Sequence, residues 1–278
     1  MQRSRSMSQS TEILVSTRFS FLGASGWQSD FSKDAAMLFD KNRLLRRLWL
    51  FNNIALASLA SQTDDNFHHF ILSSDQMPDW AKSELTDMCE DRLGAGKFTI
   101  QFAPQGPARK FQRHAIAKFA GSDPVAQVVL DDDDGLSSDF IATLRAHLAQ
   151  AEPLEAEGTP HFYTFPKGYA LGLRDDEVQL WAHRFKFINL GLTMVGRKDH
   201  KNIFGIGHMD APKRFGYTSD TRKLMYIRTL SDVNDSRVSV GERWTEVENW
   251  RDDEDFKSRF PWMLDVPFKE FNDFDSLA

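Results

Sequence analysis

A chain of 278 residues with 23 Phe and 7 Trp can bury a substantial core and is too aromatic for wholesale disorder. Its net charge of −6 excludes the broad basic footprint needed for nonspecific binding to nucleic acid. The single cysteine, Cys89, excludes an intramolecular disulfide and reads as a passive thiol in a helix. Residues 1–10 read as a frayed Ser/Arg/Gln-rich start with no apolar stretch of signal-peptide length. The most apolar stretch, 48–60, is interrupted by Asn52, Asn53 and Ser58, so no transmembrane segment is expected. The expected location is cytoplasmic, with peripheral attachment at the inner face of the membrane left open.

The fold should begin with a strand at 13–17, followed by a loop over 19–40 that contains Gly23 and Gly26. From 41 to 61 the apolar residues Leu44, Leu48, Phe51, Ile54, Ala55 and Leu59 recur with helical spacing, and Arg43, Arg46 and Arg47 lie near the start. A strand at 67–72 completes a β-α-β unit. His68 and His69 alternate faces on it, so they cannot readily share a metal. Helices at 78–93 and 109–120 flank a strand at 98–102, and a fourth strand at 126–130 precedes a helix at 139–150 capped by Ser137 or Ser138. This alternation predicts an α/β protein with a mainly parallel sheet and ligands at the carboxyl ends of its strands.

Beyond the loop at 151–160 the pattern changes to shorter strands at 161–165, 179–187 and 191–196, the last two read as a hairpin about Asn189 and Leu190. A strand-like run at 225–229 follows a Gly-rich turn around Gly205 and Gly207. The acidic, aromatic tail from Trp244 should form helices that pack back on the body. The organisation expected is one domain over 11–240, a disordered 1–10, and an extension at 241–278 on the same domain.

The fourth strand ends in Asp131, Asp132, Asp133 and Asp134, directly before Gly135. Adjacent carboxylates at a buried strand end repel one another and lose solvation, so they require a cation or hydrogen-bond donors. Mg²⁺ or Mn²⁺ suits such hard oxygen ligands, and Mg²⁺ leaves positions for substrate phosphates. An Asp-x-Asp strand tip can thus hold a metal–diphosphate. Two other readings compete. Asp132-x-Asp134-Gly135 imitates the nucleophile motif of haloacid-dehalogenase-like phosphatases, although that family places it on its first strand. An EF-hand loop fails, because Gly135 at its sixth position puts Leu130 first and Ile141 last.

The order of parts resembles the GT-A glycosyltransferases, and especially the bacterial rhamnosyl transferase group. The residues that carry the resemblance are the strand ending at Arg18, the junction Ser58-Leu59 through Gln62-Thr63 to Phe67, and the helix and strand that lead to Asp131–Asp134. Gly207-His208-Met209 and Asn234-Asp235-Ser236 are similar to late motifs of that group. The match spans about residues 11–240 and implies a GT-A fold and a hexosyltransferase. The substrates implied are a nucleotide-sugar donor and a glycan, lipid-linked or small-molecule acceptor.

By resemblance, Asp133 is the direct metal ligand, Asp131 serves the ribose or the metal shell, and Asp134 supports or ligates. Asp132 is expected to point away, with the register of the run open. His208 is similar to a histidine that completes the metal shell in several GT-A enzymes, which favours Mn²⁺. Arg18, Asp75, Arg109 and Arg113 are candidates for contact with the donor. An inverting transfer needs a base within about 3 Å of the acceptor hydroxyl. Asp210 is the first candidate, with Asp176 and Glu177 next. A noncatalytic nucleotide-sugar-binding protein on the same scaffold is the rival from another class.

Overall fold

The computed structural model describes residues 11–23, 34–121, 124–151, 159–174, 177–197, 202–231, 240–241 and 244–273. Asp176, Gly26 and the Asn234-Asp235-Ser236 motif lie outside them. The main sheet has seven strands in the order β10-β6-β9-β4-β1-β2-β3. Four of these, β1 (Glu12–Arg18), β2 (His68–Ser74), β3 (Phe98–Ala103) and β4 (Val125–Val129), are mutually parallel and apolar-rich. Helices Asp79–Leu93 and Ala108–Phe119 make the crossovers on either side of β3. On the other side of β4, β9 (Thr193–Gly196) runs antiparallel and pairs with β6 (His161–Thr164), which pairs with β10 (Tyr217–Ser219). The α/β class, with a mainly parallel sheet and a smaller antiparallel part, is the arrangement expected of a GT-A-like fold.

A second sheet of five strands runs β12-β8-β7-β11-β5. Its hairpin pairs β7 (Lys167–Arg174) with β8 (Glu177–Arg184). This corrects the expected hairpin about Asn189 and Leu190, because β8 and β9 belong to different sheets. Strand β7 escapes a periodicity reading because Gly168 and Gly172 dilute its pattern. Both glycines are needed for contact: a Cβ at Gly168 would lie 2.4 Å from the Tyr226 ring, and one at Gly172 2.7 Å from the Trp181 ring. The sheet is completed by β11 (Tyr226–Leu230), β5 (Gly135–Leu136) and β12 (Thr245–Glu246).

The long helix predicted at 41–61 is interrupted. It runs as α-helix over Lys41–Leu50, widens to a π-helical turn at Phe51–Leu56, and ends at Ala57–Ala60. Its residues divide between two cores. Leu44, Leu48, Phe51, Ala55 and Leu59 join the core under the main sheet, while Trp49, Leu50, Ile54 and Ala57 join a second core. A helix buried on two sides is the expected outcome of so many apolar positions. The second core is filled by Trp250, Phe256, Phe260, Trp262, Met263 and Phe271 from the C-terminal segment. Arg46 and Arg43 are buried at its start, Arg46 with its guanidinium 4.5 Å from the centre of the Phe271 ring and Arg43 donating to Leu38 O at 3.0 Å. No described helix is long and apolar enough to cross a membrane.

Cys89 is buried in the main core, and burial pushes its thiol up to about 12, so it is inert. His69 bonds Thr17 Oγ1 at 2.9 Å, and His68 bonds Thr99 Oγ1 at 2.9 Å on the other face of the strand.

Candidate active site at the carboxyl edge of the main sheet

The parallel register brings the candidate residues to one edge. Ser16 pairs with Val129, and Leu130 N–H donates to Ser16 O at 3.1 Å, so Arg18 at the end of β1 stands level with Asp131 at the end of β4. Asp75 follows β2 at the same edge and is exposed, with its backbone N–H on Ala103 O at 3.0 Å. Arg109 opens the helix after β3, also exposed, and Arg113 is exposed one turn further on. Glu177 begins β8 at the turn of the β7–β8 hairpin.

The acidic run turns inward. Asp131 is half-buried, and the other three are buried. Asp132 is 1% exposed and paired with an Arg47 guanidinium nitrogen, while the other nitrogen donates to Asp133 Oδ2 at 3.0 Å. Arg47, 2% exposed, is therefore an internal counter-ion delivered by the long helix. Asp132 turns into the interior, where Arg47 meets it. This also removes the exposed nucleophile that the phosphatase reading requires at that position.

Asp134 accepts from Thr229 N–H at 2.8 Å. Burial holds its carboxyl well above the usual carboxylate range, and repulsion from Asp133 and Asp131 adds to that effect, against the opposing pull of Arg228. The loop then leaves through Gly135, where a Cβ would lie 2.5 Å from the Trp262 ring. Trp262 Nε1 donates to Leu136 O at 3.3 Å, so a C-terminal aromatic closes over the exit of the acidic loop.

Gln62, part of the motif noted in the sequence, braces the same exit. Its Nε2 donates to Ser137 O at 2.7 Å and its Oε1 accepts from Ile141 N–H at 3.0 Å. It thereby caps the helix Phe140–Gln150, the role expected of Ser137 or Ser138. Ser137 instead donates to Asp139 Oδ1 at 2.9 Å, and Ser138 to Ser258 O at 3.3 Å.

His208 arrives from the far side of β4. Its segment is anchored by Gln127, a buried amide in the middle of β4 whose Oε1 accepts from Ile203 N–H at 3.0 Å. Asn202 Nδ2 also donates to Arg109 O at 2.7 Å. Phe204 lies with its ring centre 5.8 Å from the Arg18 guanidinium. His208 is half-buried, and burial lowers its imidazole below the ordinary range. Asp131 and Asp210 oppose that effect and Arg228 adds to it, so all three lie within electrostatic reach of the ring. Asp210 is exposed and held low by its 2.9 Å contact with Lys213, which weakens it as a proton acceptor. Gln62, Gln127, Arg47 and Arg228 are the residues that sequence reasoning did not place here.

A family model described as "Putative rhamnosyl transferase" matches residues 12–243. The chain belongs to this family. It is therefore a glycosyltransferase. No curated protein matches it significantly. Among solved structures, S. aureus TarS is similar at 12% identity and a TM-score of 0.41, over 80% of this chain. The chain spans 37% of the length of TarS. HddC from Yersinia pseudotuberculosis is similar at 13% identity and a TM-score of 0.39, over 78% of this chain and 93% of HddC. Likenesses this distant decide nothing about substrate.

Proposed function

We propose that this rhamnosyl transferase family member transfers a sugar, with rhamnose as the family's name suggests, from a nucleotide-diphosphate donor to an acceptor hydroxyl, and that the donor's diphosphate is held at the acidic loop. The observation that carries the reading is the alignment of Arg18 with the Asp131–Asp134 loop on one sheet edge, with the segment that leads to His208 anchored beside them through Ile203 and Phe204.

A divalent cation fits this loop. Arg47 meets Asp132 and one oxygen of Asp133, while the half-buried Asp131 and the buried Asp134, whose ionisation is disfavoured by burial and by its acidic neighbours, stand beside them as further oxygen ligands for a cation. Among the described residues no three His, Cys, Asp or Glu side chains form a ready-made cage. An ion that takes one or two carboxylates and fills its remaining positions with water and phosphate would not require one. Asp133 and Asp134 would hold it, with Asp131 and a neutral His208 beside them, and the imidazole favours Mn²⁺ over Mg²⁺. Such an ion supplies Lewis-acid stabilisation of the departing diphosphate. The protein's own part is to fix the loop with Arg47 and Gln62 so that little reorganisation is needed as charge develops.

The test is calorimetric titration with UDP, GDP, CDP and dTDP, with and without Mn²⁺, followed by the sugar derivatives of whichever binds. Binding of one nucleoside diphosphate that depends on Mn²⁺, and release of that diphosphate from its sugar, supports the reading. Hydrolysis of simple phosphomonoesters without nucleotide-sugar turnover would overturn it.

A further inference from the structure

We propose that Arg228 is a catalytic residue of this transferase, donating from its guanidinium to the donor's β-phosphate and stabilising that group as it leaves. The inference rests on the reading that the acidic loop is the donor site. It extends that reading to a residue on the second sheet.

The placement follows from register and alternation. Ile227 pairs antiparallel with Gly135, so the next residue on β11 comes opposite Asp134, and Thr229 N–H fixes that junction by donating to Asp134 Oδ1 at 2.8 Å. Ile227 is fully buried in the C-terminal core, so Tyr226 and Arg228 occupy the opposite face. On that face the Tyr226 hydroxyl and His183 Nδ1 are hydrogen-bonded at 2.7 Å, which holds the neighbouring residue in place.

Arg228 is half-buried, yet it makes no hydrogen bond or ion pair with any described residue. The arginines of the long helix are engaged: Arg47 with two aspartates, Arg43 with a backbone carbonyl, Arg46 with an aromatic ring. A partly desolvated guanidinium with its donors unused, at the strand position opposite Asp134, is matched to an anion with several acceptor oxygens. Arg228 also favours the charged form of Asp134, but it makes no hydrogen bond to that carboxyl, which takes one from Thr229 N–H, so the guanidinium's donors remain open to a ligand.

In the transfer, the bond between the anomeric carbon and the β-phosphate oxygen breaks and its electron pair stays on that oxygen. The acceptor hydroxyl oxygen forms the new bond to the anomeric carbon, and its proton passes to a carboxylate or to solvent. Arg228 exchanges no proton. It donates hydrogen bonds to an oxygen whose charge grows along the reaction, which makes the contact stronger in the transition state than in the ground state.

The test compares parent, Arg228→Gln, Arg228→Lys and Asp133→Asn by calorimetry in Mn²⁺. The ligands are UDP, GDP, CDP and dTDP, the monophosphate of whichever diphosphate binds, and inorganic pyrophosphate. Arg228→Gln should weaken the diphosphate and pyrophosphate by roughly ten- to a hundredfold, the range for a charged hydrogen bond. It should leave the monophosphate within about twofold and the melting temperature near the parent's, and Arg228→Lys should recover part of the loss. Unchanged diphosphate affinity, or an equal loss for monophosphate and diphosphate, overturns the role of Arg228. If Asp133→Asn abolishes binding while Arg228→Gln does not, the donor site stands and only this inference falls. If no diphosphate binds the parent, both fall.

Discussion

The Arg47 guanidinium donates to Asp133 Oδ2 at 3.0 Å and pairs with Asp132 through its other nitrogen, tying the long helix to the acidic loop across the interior. Breaking one side of a buried ion pair leaves an uncompensated charge, at a cost of about 3–5 kcal/mol. Arg47→Ala should therefore lose stability of that order in urea unfolding. Arg47→Met combined with Asp132→Asn should recover a measurable part of it, because the second change removes one stranded anion.

Asp134 is a buried carboxyl whose ionisation the fold disfavours, and its substitution should separate stability from function. Its folded-state pKa is raised above the unfolded value of 3.8, so the folded state holds the proton more tightly. Stability from this group is full below that value and is lost as pH rises through the raised one. Asp134→Asn keeps an oxygen for Thr229 N–H and removes the charge. It should raise the melting temperature by a few degrees at pH 7 without metal, remove this group's share of the pH dependence, and lower Mn²⁺ affinity. Thermal melts across pH, with and without Mn²⁺, check all three.

His208 has the opposite sign. Its pKa is lowered by burial, so the imidazole is neutral, and able to ligate, through the neutral range. Metal-dependent nucleotide binding should stay flat down to about pH 6.5 and weaken below it as the ring takes up a proton. His208→Ala should flatten that acid limb and weaken Mn²⁺ more than Mg²⁺. Titrations at several pH values measure both effects.

Gly135 tests how the C-terminal segment closes the site. The Trp262 ring occupies the space of a Cβ at 2.5 Å, so Gly135→Ala should cost about 1–3 kcal/mol by overpacking. Trp262→Ala should cost about 3–5 kcal/mol by leaving a cavity. The double variant should lose less than the two single losses together, because the alanine then meets empty space. Chemical denaturation of the three variants gives the comparison.

The first half of the fold was legible because its elements are carried by local pattern. Strands β1 to β4 and their crossover helices follow from apolar runs and helical spacing, and the abrupt end of β4 in four aspartates marked the loop. What stayed hidden depends on distant partners. Nothing local distinguishes Arg47 from a solvated basic residue, since its burial comes from a loop 86 residues away. Gln127 looks like an interruption in β4 until Ile203 N–H reaches it. Strand β7 was lost because its glycines serve the rings of Tyr226 and Trp181, on strands that periodicity cannot pair with it. Arg228 is one arginine in a short apolar strand, and only the pairing of β11 with β5 gives it a place beside the aspartates.

The central claim, that the acidic loop holds the donor's diphosphate through a divalent cation, is tested most directly by Asp133→Asn. Asparagine retains an oxygen for Arg47, so the variant should melt within a few degrees of the parent. Calorimetric titration in Mn²⁺, with the nucleoside diphosphate that the parent binds, should show affinity reduced to the level seen without metal. Retention of full Mn²⁺-dependent affinity by Asp133→Asn would contradict the account.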